Sequence, residues 1–227
     1  MPPITIIGIG FKPLDKRATE TLERSAMILA SKRLYDVFRG YGEFEKVAEK
    51  VRVIDNIDDT FAVIRNNYRT RSVTLLASGD PMFFGIGKRI VEAFGKDSVE
   101  LFPDLSSVQA AFARIKEPWD NAFLMSLHRG PYPEKRRKLD YDTTDIPSLL
   151  QNHAAVAVLT DAEKTPIEIA EVLSSSPLTR AAGLLMYVCE KLGYREERIT
   201  EGSPEAIARM AFSVPNVVII KHIDNRR

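Results

Sequence analysis

Apolar residues in this chain gather in short runs that end on glycine, and between the runs they recur at every third or fourth position. Ile4 to Ile9, Ile-Thr-Ile-Ile-Gly-Ile, is β-branched and apolar and closes in a turn containing Gly8 and Gly10, the pattern of a buried parallel strand. Val73 to Ala77 repeats that pattern and stops at Ser78-Gly79-Asp80-Pro81. Thr19 to Ala30 and Ile57 to Tyr68 have helical spacing and predict helices that cover a sheet. Gly87 to Phe94 predicts a further helix, Val99 to Phe102 a strand, and Ser106 to Ile115 a helix with Ser106 as its N-cap.

The pattern breaks at Lys116-Glu117-Pro118-Trp119-Asp120. Pro118 cannot continue a helix, which sets a domain boundary there: an N-terminal α/β domain over 1–117 and a C-terminal α/β domain over 118–227. In the second half, strands are expected at Ala122 to Ser126, Ala155 to Thr160, Leu184 to Cys189, Arg198 to Glu201 and Val217 to Lys221, with helices at Pro166 to Ser174 and Pro204 to Phe212. The late strands follow one another too closely for a helix between each pair, so this sheet is expected to be mixed. The fold class is α/β, with two α/β domains.

Composition narrows the functional classes. With 227 residues, 44% hydrophobic and 28% charged, the chain has enough apolar material for two cores. Its 32 Lys and Arg against 31 Asp and Glu leave a net charge of +1, which argues against nucleic acid or an anionic membrane as partner. Cys189 is the single cysteine; an internal disulfide and a thiolate metal cluster are excluded, and a reducing compartment fits. His128, His153 and His222 are not at metal-ligand spacing, so no metal site is expected. No apolar run reaches the ~18 to 20 residues of a membrane span, and Met1-Pro2-Pro3-Ile4 does not read as a signal peptide. The expected location is cytoplasmic.

Two glycine turns carry the candidate chemistry. Gly8-Ile9-Gly10 has the look of a phosphate-cradling loop or of a plain tight turn. Pro13 stands where a dinucleotide fingerprint needs its third glycine, and Met27 to Ala30 offers no acidic residue for a ribose, which disfavours a nicotinamide dehydrogenase. The second turn, Ala77-Ser78-Gly79-Asp80-Pro81-Met82-Phe83-Phe84-Gly85-Ile86-Gly87, says more. A buried strand delivers a glycine that admits close backbone approach, then an acidic residue, a turn-fixing proline and a helix start; a bare Gly-Asp-Pro alone reads as a type I turn.

That longer segment resembles the Gly-Asp-Pro loop of the tetrapyrrole (corrin/porphyrin) methylase family, in particular its precorrin and cobalt-precorrin carbon-5 branch. The same order of segments runs on through Pro103-Asp104-Leu105-Ser106-Ser107-Val108-Gln109, Ser126-Leu127-His128, Leu159-Thr160-Asp161 with Thr165-Pro166, and Cys189-Glu190-Lys191-Leu192-Gly193 with Glu197-Arg198-Ile199. The resemblance implies S-adenosylmethionine in the cleft between two α/β domains, leaving as S-adenosylhomocysteine after methyl transfer to a ring carbon of a tetrapyrrole. It implies cofactor contacts from Gly10 and Phe11, from Ser78, Gly79, Asp80 and Phe83, from Ser106 and Ser107, and from Leu159 and Thr160.

For the substrate, the resemblance points to Ser31 and Arg33 along a trough and to His128 and Arg129. His128 reads equally as a proton-transfer group, a carboxylate binder or a structural histidine. The basic run Lys135 to Lys138 reads equally as a solvated loop or as a carboxylate contact. No catalytic base is identified. This chain has Phe11-Lys12-Pro13 where the family usually has proline or an acidic residue followed by glycine, and Ser126-Leu127-His128-Arg129-Gly130 where the branch tends to Ser-Leu-His-Gly-Arg. The resemblance further implies a homodimer and a separate carbon-15 methyltransferase/decarboxylase as functional partner. The alternatives are another member of the family, acting on a different ring carbon or a diphthine-type acceptor, and a non-catalytic S-adenosylmethionine-binding module.

Overall fold

Every residue from Ile4 to Ile9 is buried, and the segment forms strand β1, as expected of a strand covered on both faces. In the computed structural model, which describes residues 4–129, 138–179 and 183–223, the chain divides into two units, Met1–Ser106 and Ser107–Arg227.

In the first unit β1 leads to helix α1 (Lys16–Arg24), β2 (Met27–Ala30), α2 (Lys32–Phe38), the short α3 (Phe44–Val47) and β3 (Val51–Val53). Then come α4 (Ile57–Asn67), β4 (Val73–Ser78), α5 (Gly87–Phe94) and β5 (Val99–Phe102). The strands form a five-stranded sheet in the order β3-β2-β4-β1-β5, with every pairing parallel. Alternation along β1 feeds two cores: Ile7 and Ile9 pack with Leu22, Phe38 and Leu76, while Ile4 and Ile6 pack with Leu29, Ile64 and Ile90, because successive strand side chains point to opposite faces.

The strand order positions the site. From β1 the chain goes to β2, on the far side of β4, and from β4 it goes to β5, on the far side of β1. Adjacent parallel strands whose connections leave in opposite directions open a crevice at their carboxyl ends, where sheets of this kind hold ligands. β1 and β4 run in register from Ile4 opposite Val73 to Ile9 opposite Ser78, so both glycine turns emerge side by side.

The helix expected over Thr19 to Ala30 is corrected. α1 starts earlier, capped by Asp15, whose side chain accepts from Ala18 N at 2.8 Å, and it ends at Arg24; Met27–Ala30 is a wholly buried strand. A four-residue apolar run fits a buried strand as well as a helical turn, and periodicity does not separate them. Ser25 marks the break: its backbone is extended and its hydroxyl is buried against that of Thr74 on β4. α2, α3 and β3 are too short and too weakly patterned to show in the sequence.

The second unit comprises α6 (Ser107–Ile115), β6 (Ala122–Ser126), α7 (Ile146–Leu149), β7 (Ala155–Leu159), α8 (Pro166–Ser175), β8 (Leu184–Glu190), β9 (Arg198–Gly202), α9 (Pro204–Ile207) and β10 (Asn216–His222). Its sheet has the order β6-β7-β10-β8-β9. Only β6 and β7 pair in parallel, the other pairings being antiparallel; the sheet is mixed, as its close-set strands predict. The division at Ser106 and Ser107 precedes Pro118 because α6 packs on β10 and β7, burying Val108, Ala111 and Phe112. α9 stops at Ile207, short of the expected Phe212. Arg209 N donates to Ala206 O and Met210 N to Ile207 O, three-residue bonds that tighten and end a helix.

Candidate functional site

At the carboxyl ends of β1, β4 and β5 the backbones touch. Gly79 N donates to Ile9 O at 3.0 Å, and Asp104 N donates to Gly79 O at 3.3 Å. A Cβ on Gly8 would lie 1.9 Å from Gly79 O and 2.7 Å from Asp104 N, so no side chain fits there. Gly79 has φ of +59°, and a Cβ on it would lie 2.6 Å from Leu105 O. Both positions therefore require glycine, one for space and the other for space and conformation.

The loop after β1 is held from two sides. Gly10 N donates to the Tyr41 hydroxyl at 2.8 Å, and that hydroxyl donates to Lys12 O at 3.0 Å. The Asp104 carboxylate accepts from Phe11 N at 2.7 Å and Lys12 N at 3.2 Å through Oδ2, and from Leu105 N at 2.7 Å through Oδ1. The side chain of Asp104 is 3% exposed, and Lys12 Nζ lies 4.0 Å from it. Burial raises the Tyr41 phenol above its usual pKa; the Gly10 N–H works against that rise, and the charges of Asp104 and Glu43 add to it. With the amides of Gly10, Phe11 and Lys12 all occupied, this loop is not a phosphate cradle, which needs such amides aimed at the anion.

The Gly-Asp-Pro loop is braced by its own backbone. Asp80 Oδ1 accepts from Met82 N at 2.8 Å, Phe83 N donates to Asp80 O at 3.1 Å, and Gly87 N donates to Pro81 O at 2.8 Å. A Cβ on Gly85 would lie 2.5 Å from Pro81 O, and one on Gly87 2.7 Å from the same oxygen, which explains the glycine spacing in the segment. The rings of Phe83 and Phe84 meet edge to face at 4.8 Å. Ser78 is exposed at the end of β4, and Ser106 is buried, its Cα 3.3 Å from where a Gly79 Cβ would stand. Gly10, Phe11, Ser78, Gly79, Asp80, Phe83 and Ser106 thus share one edge of the first sheet. Ser31 sits on that edge too, at the end of β2, where its hydroxyl accepts from Leu34 N at 3.3 Å and caps α2. Arg33 is exposed in the first turn of that helix.

In the second unit Ser107 opens α6. Leu159 O accepts from Leu127 N at 2.8 Å, joining the ends of β6 and β7. Thr160 is buried, and its hydroxyl donates to the backbone and side-chain oxygens of Asn216, so that hydroxyl serves the sheet. His128 is exposed. Arg129 N donates to Asp161 Oδ2 at 3.0 Å, and its guanidinium lies 3.7 Å from Asp142. Asp161 also accepts from Glu163 N and Lys164 N, each at 2.8 Å. Burial opposes ionisation of Asp161, but the N–H groups of Lys164, Arg129 and Glu163 outweigh it and hold the carboxyl below the usual range. Gly130 and Lys135 to Arg137 lie outside the described residues.

Beside these residues, Asp161, Thr165, Ile167, Lys191, Val214 and Asn216 line a depression of about 530 Å³. Cys189 is buried, which pushes its thiol up to about 12 and makes it a poor nucleophile. Glu190, 2% exposed, accepts from Arg198 Nη2 at 2.9 Å and Ser213 N at 2.7 Å, and so ties β8 to the segment before β10. Among the described residues, no three His, Cys, Asp or Glu gather as a metal site. No local pattern marks Tyr41 or Asn216, whose partners are distant in the chain.

The chain is similar to known proteins in sequence and in fold. The family model for tetrapyrrole (corrin/porphyrin) methylases matches residues 3–208. The cobalt-precorrin-7 C(5)-methyltransferase of Salmonella typhimurium is 30% identical over 96% of this chain and 98% of that protein. The crystal structure of the precorrin-6Y methylase of cobalamin biosynthesis from Archaeoglobus fulgidus matches with a TM-score of 0.69 at 22% identity, over 96% of each chain. Uroporphyrin-III C-methyltransferase from Thermus thermophilus, complexed with S-adenosylhomocysteine, matches with a TM-score of 0.69 at 19% identity, over 96% of this chain and 92% of that one. By the family model over residues 3–208 and by its similarity to the Salmonella protein, the chain belongs to the tetrapyrrole methylase family.

Proposed function

We propose that this protein is an S-adenosylmethionine-dependent methyltransferase acting on carbon 5 of a precorrin or cobalt-precorrin. The observation that carries the reading is the near full-length similarity to the Salmonella carbon-5 enzyme, together with glycine turns joined backbone to backbone at the switch point of the first sheet. When bound, S-adenosylmethionine supplies a methyl group on a sulfonium, and the electrons of the broken S–C bond return to sulfur as the ring carbon's electron pair forms the new C–C bond.

The residues suit that group. The amides after β1 are taken by Tyr41 and Asp104, so no anion-binding nest opposes a positive sulfur. In this proposal Gly10, Phe11, Ser78, Gly79, Asp80, Phe83 and Ser106 contact the cofactor from the first unit. Ser107, Leu159 and Thr160 are the candidates in the second, Thr160 through its backbone because its hydroxyl is bonded to Asn216. An electron-rich ring carbon needs little acid–base help, so holding the two reactants in line supplies most of the acceleration, and excluding water favours a step that disperses charge.

Ser31, Arg33, His128 and Arg129 are proposed to face the substrate, whose carboxylates pair well with guanidinium groups. A homodimer in a reducing cytoplasm, with a separate protein acting at carbon 15, completes the proposal. The single cysteine supports the reducing compartment, and a match over 98% of a relative named for carbon 5 alone supports the separate carbon-15 protein. No helix of the described residues is long and apolar enough to cross a membrane. Light scattering tests the dimer. Mass spectrometry of cobalt-precorrin-7 or precorrin-6B after incubation with S-adenosylmethionine tests the activity: the expected product has gained one methyl group. Cofactor binding without a product from either substrate would favour another acceptor or a binding module.

A further inference from the structure

Three consecutive amides in the first loop have no hydrogen-bond partner within the loop itself. Gly10 N reaches Tyr41, and Phe11 N and Lys12 N reach Asp104. Tyr41 belongs to the segment between α2 and α3, and Asp104 to the turn after β5; the bonds span 31 and 93 residues. Gly10 has φ of +129° with open space where a Cβ would point, a conformation open to glycine and rarely adopted by other residues, so the bonds from Tyr41 and Asp104 select it among the many a glycine can take. With these three amides bonded to Tyr41 and Asp104, the turn takes its shape from outside.

We propose that Tyr41 and Asp104 are positioning residues that set the Gly10–Lys12 turn for cofactor binding. Tyr41 acts at both ends of the turn, accepting from Gly10 N and donating to Lys12 O. Asp104 fastens the middle and, through Leu105 N, fixes the turn to the chain just before Ser106. The β5 turn is in turn bonded to Gly79 O, so one carboxylate joins the first loop to the Gly-Asp-Pro loop. Neither side chain needs to touch the ligand for its loss to misplace Gly10 and Phe11. The inference rests on the proposed function, which puts those two residues at the cofactor.

The test uses the full chain and its Tyr41→Phe and Asp104→Asn variants. Titration calorimetry with S-adenosylmethionine and S-adenosylhomocysteine is combined with steady-state kinetics on the tetrapyrrole substrate. Each variant is expected to weaken cofactor affinity about five- to tenfold, the usual effect of losing one or two such bonds, with KM for S-adenosylmethionine rising in step and kcat within about twofold of wild type. The double variant is expected to lose less than the product of the single losses, since both act on one turn. A merely structural role would lower the melting temperature and leave the KM-to-kcat split untouched. Tyr41→Phe removes one hydroxyl and carries the test alone if Asp104→Asn does not fold. Wild-type binding with unchanged affinity in folded variants overturns this inference alone; absence of binding by the wild type overturns the proposed function and this inference with it.

Discussion

Gly8 on β1 and Gly79 in the turn after β4 approach so closely that a methyl group on Gly8 would stand 1.9 Å from the Gly79 carbonyl oxygen. The obstacle is backbone and cannot rotate away. Gly8→Ala is therefore expected to force the two strand ends apart and to destabilise the protein by about 3 kcal/mol, the upper end of the usual overpacking cost. Urea denaturation checks it; a loss below about 1 kcal/mol would show that the strand ends part easily enough to admit a methyl group.

Gly79→Val places a branched side chain at φ of +59° and against Leu105 O at 2.6 Å. Its expected effect is loss of S-adenosylhomocysteine binding in a protein that keeps its far-UV spectrum, with about 1 to 3 kcal/mol of strain. Calorimetry on the folded variant decides the matter, and wild-type affinity would reduce Gly79 to a turn residue.

Most of the first sheet was legible in the sequence, for a physical reason that also explains the errors. β1 and β4 are largely apolar runs that end at glycine, β5 is a short run closed by Pro103, and α5 is amphipathic between two glycines, so pattern and punctuation agree. In Thr19 to Ala30 a helix and a buried strand follow one another with only Ser25 and Ala26 between them, and the two periodicities merged. The glycine turns were legible because glycine reports a local backbone need. Tyr41 was not, since its role is a contact made 31 residues away, and Asp104 was visible only as part of a motif. The Thr160 hydroxyl likewise shows its use only when β10 brings Asn216 beside it.

Asp161 makes stability depend on pH. Its folded pKa lies below the ordinary value because three backbone N–H groups favour the carboxylate over the opposing cost of burial. A depressed carboxyl stabilises the folded state above its unfolded pKa, about 3.9, and that contribution is lost as pH falls through the folded value. Wild type is expected to exceed Asp161→Asn in stability at neutral pH, with the gap closing as pH drops below about 4. Denaturation of both proteins across that range is the measurement; a gap independent of pH would mean that the charge of Asp161 contributes nothing.

With its thiol at about 12, buried Cys189 is on the order of one part in ten thousand thiolate at pH 8. Native protein is expected to resist iodoacetamide for hours and to take up one equivalent within minutes once unfolded. Rapid labelling of native protein would show that β8 opens readily.

Arg33 and Arg129 are proposed substrate contacts in different surroundings. Arg33 is exposed at the start of α2, and Arg129 is half-buried with its guanidinium 3.7 Å from Asp142. Arg33→Ala is expected to raise the tetrapyrrole KM about fivefold, as the loss of one partly screened charge pair would, with S-adenosylhomocysteine affinity unchanged. Arg129→Ala is expected to raise KM and to lower thermal stability as well. Unaltered kinetics in the double variant would assign the substrate carboxylates to other cations.

The reaction itself is tested most directly by following the transferred carbon. The protein is incubated with cobalt-precorrin-7 and S-adenosylmethionine carrying an isotope-labelled methyl group, and the label is located in the product by NMR. One labelled methyl on carbon 5 is the expected result. A label on any other atom, or a substrate recovered unmethylated by a protein that binds the cofactor, would contradict the assignment.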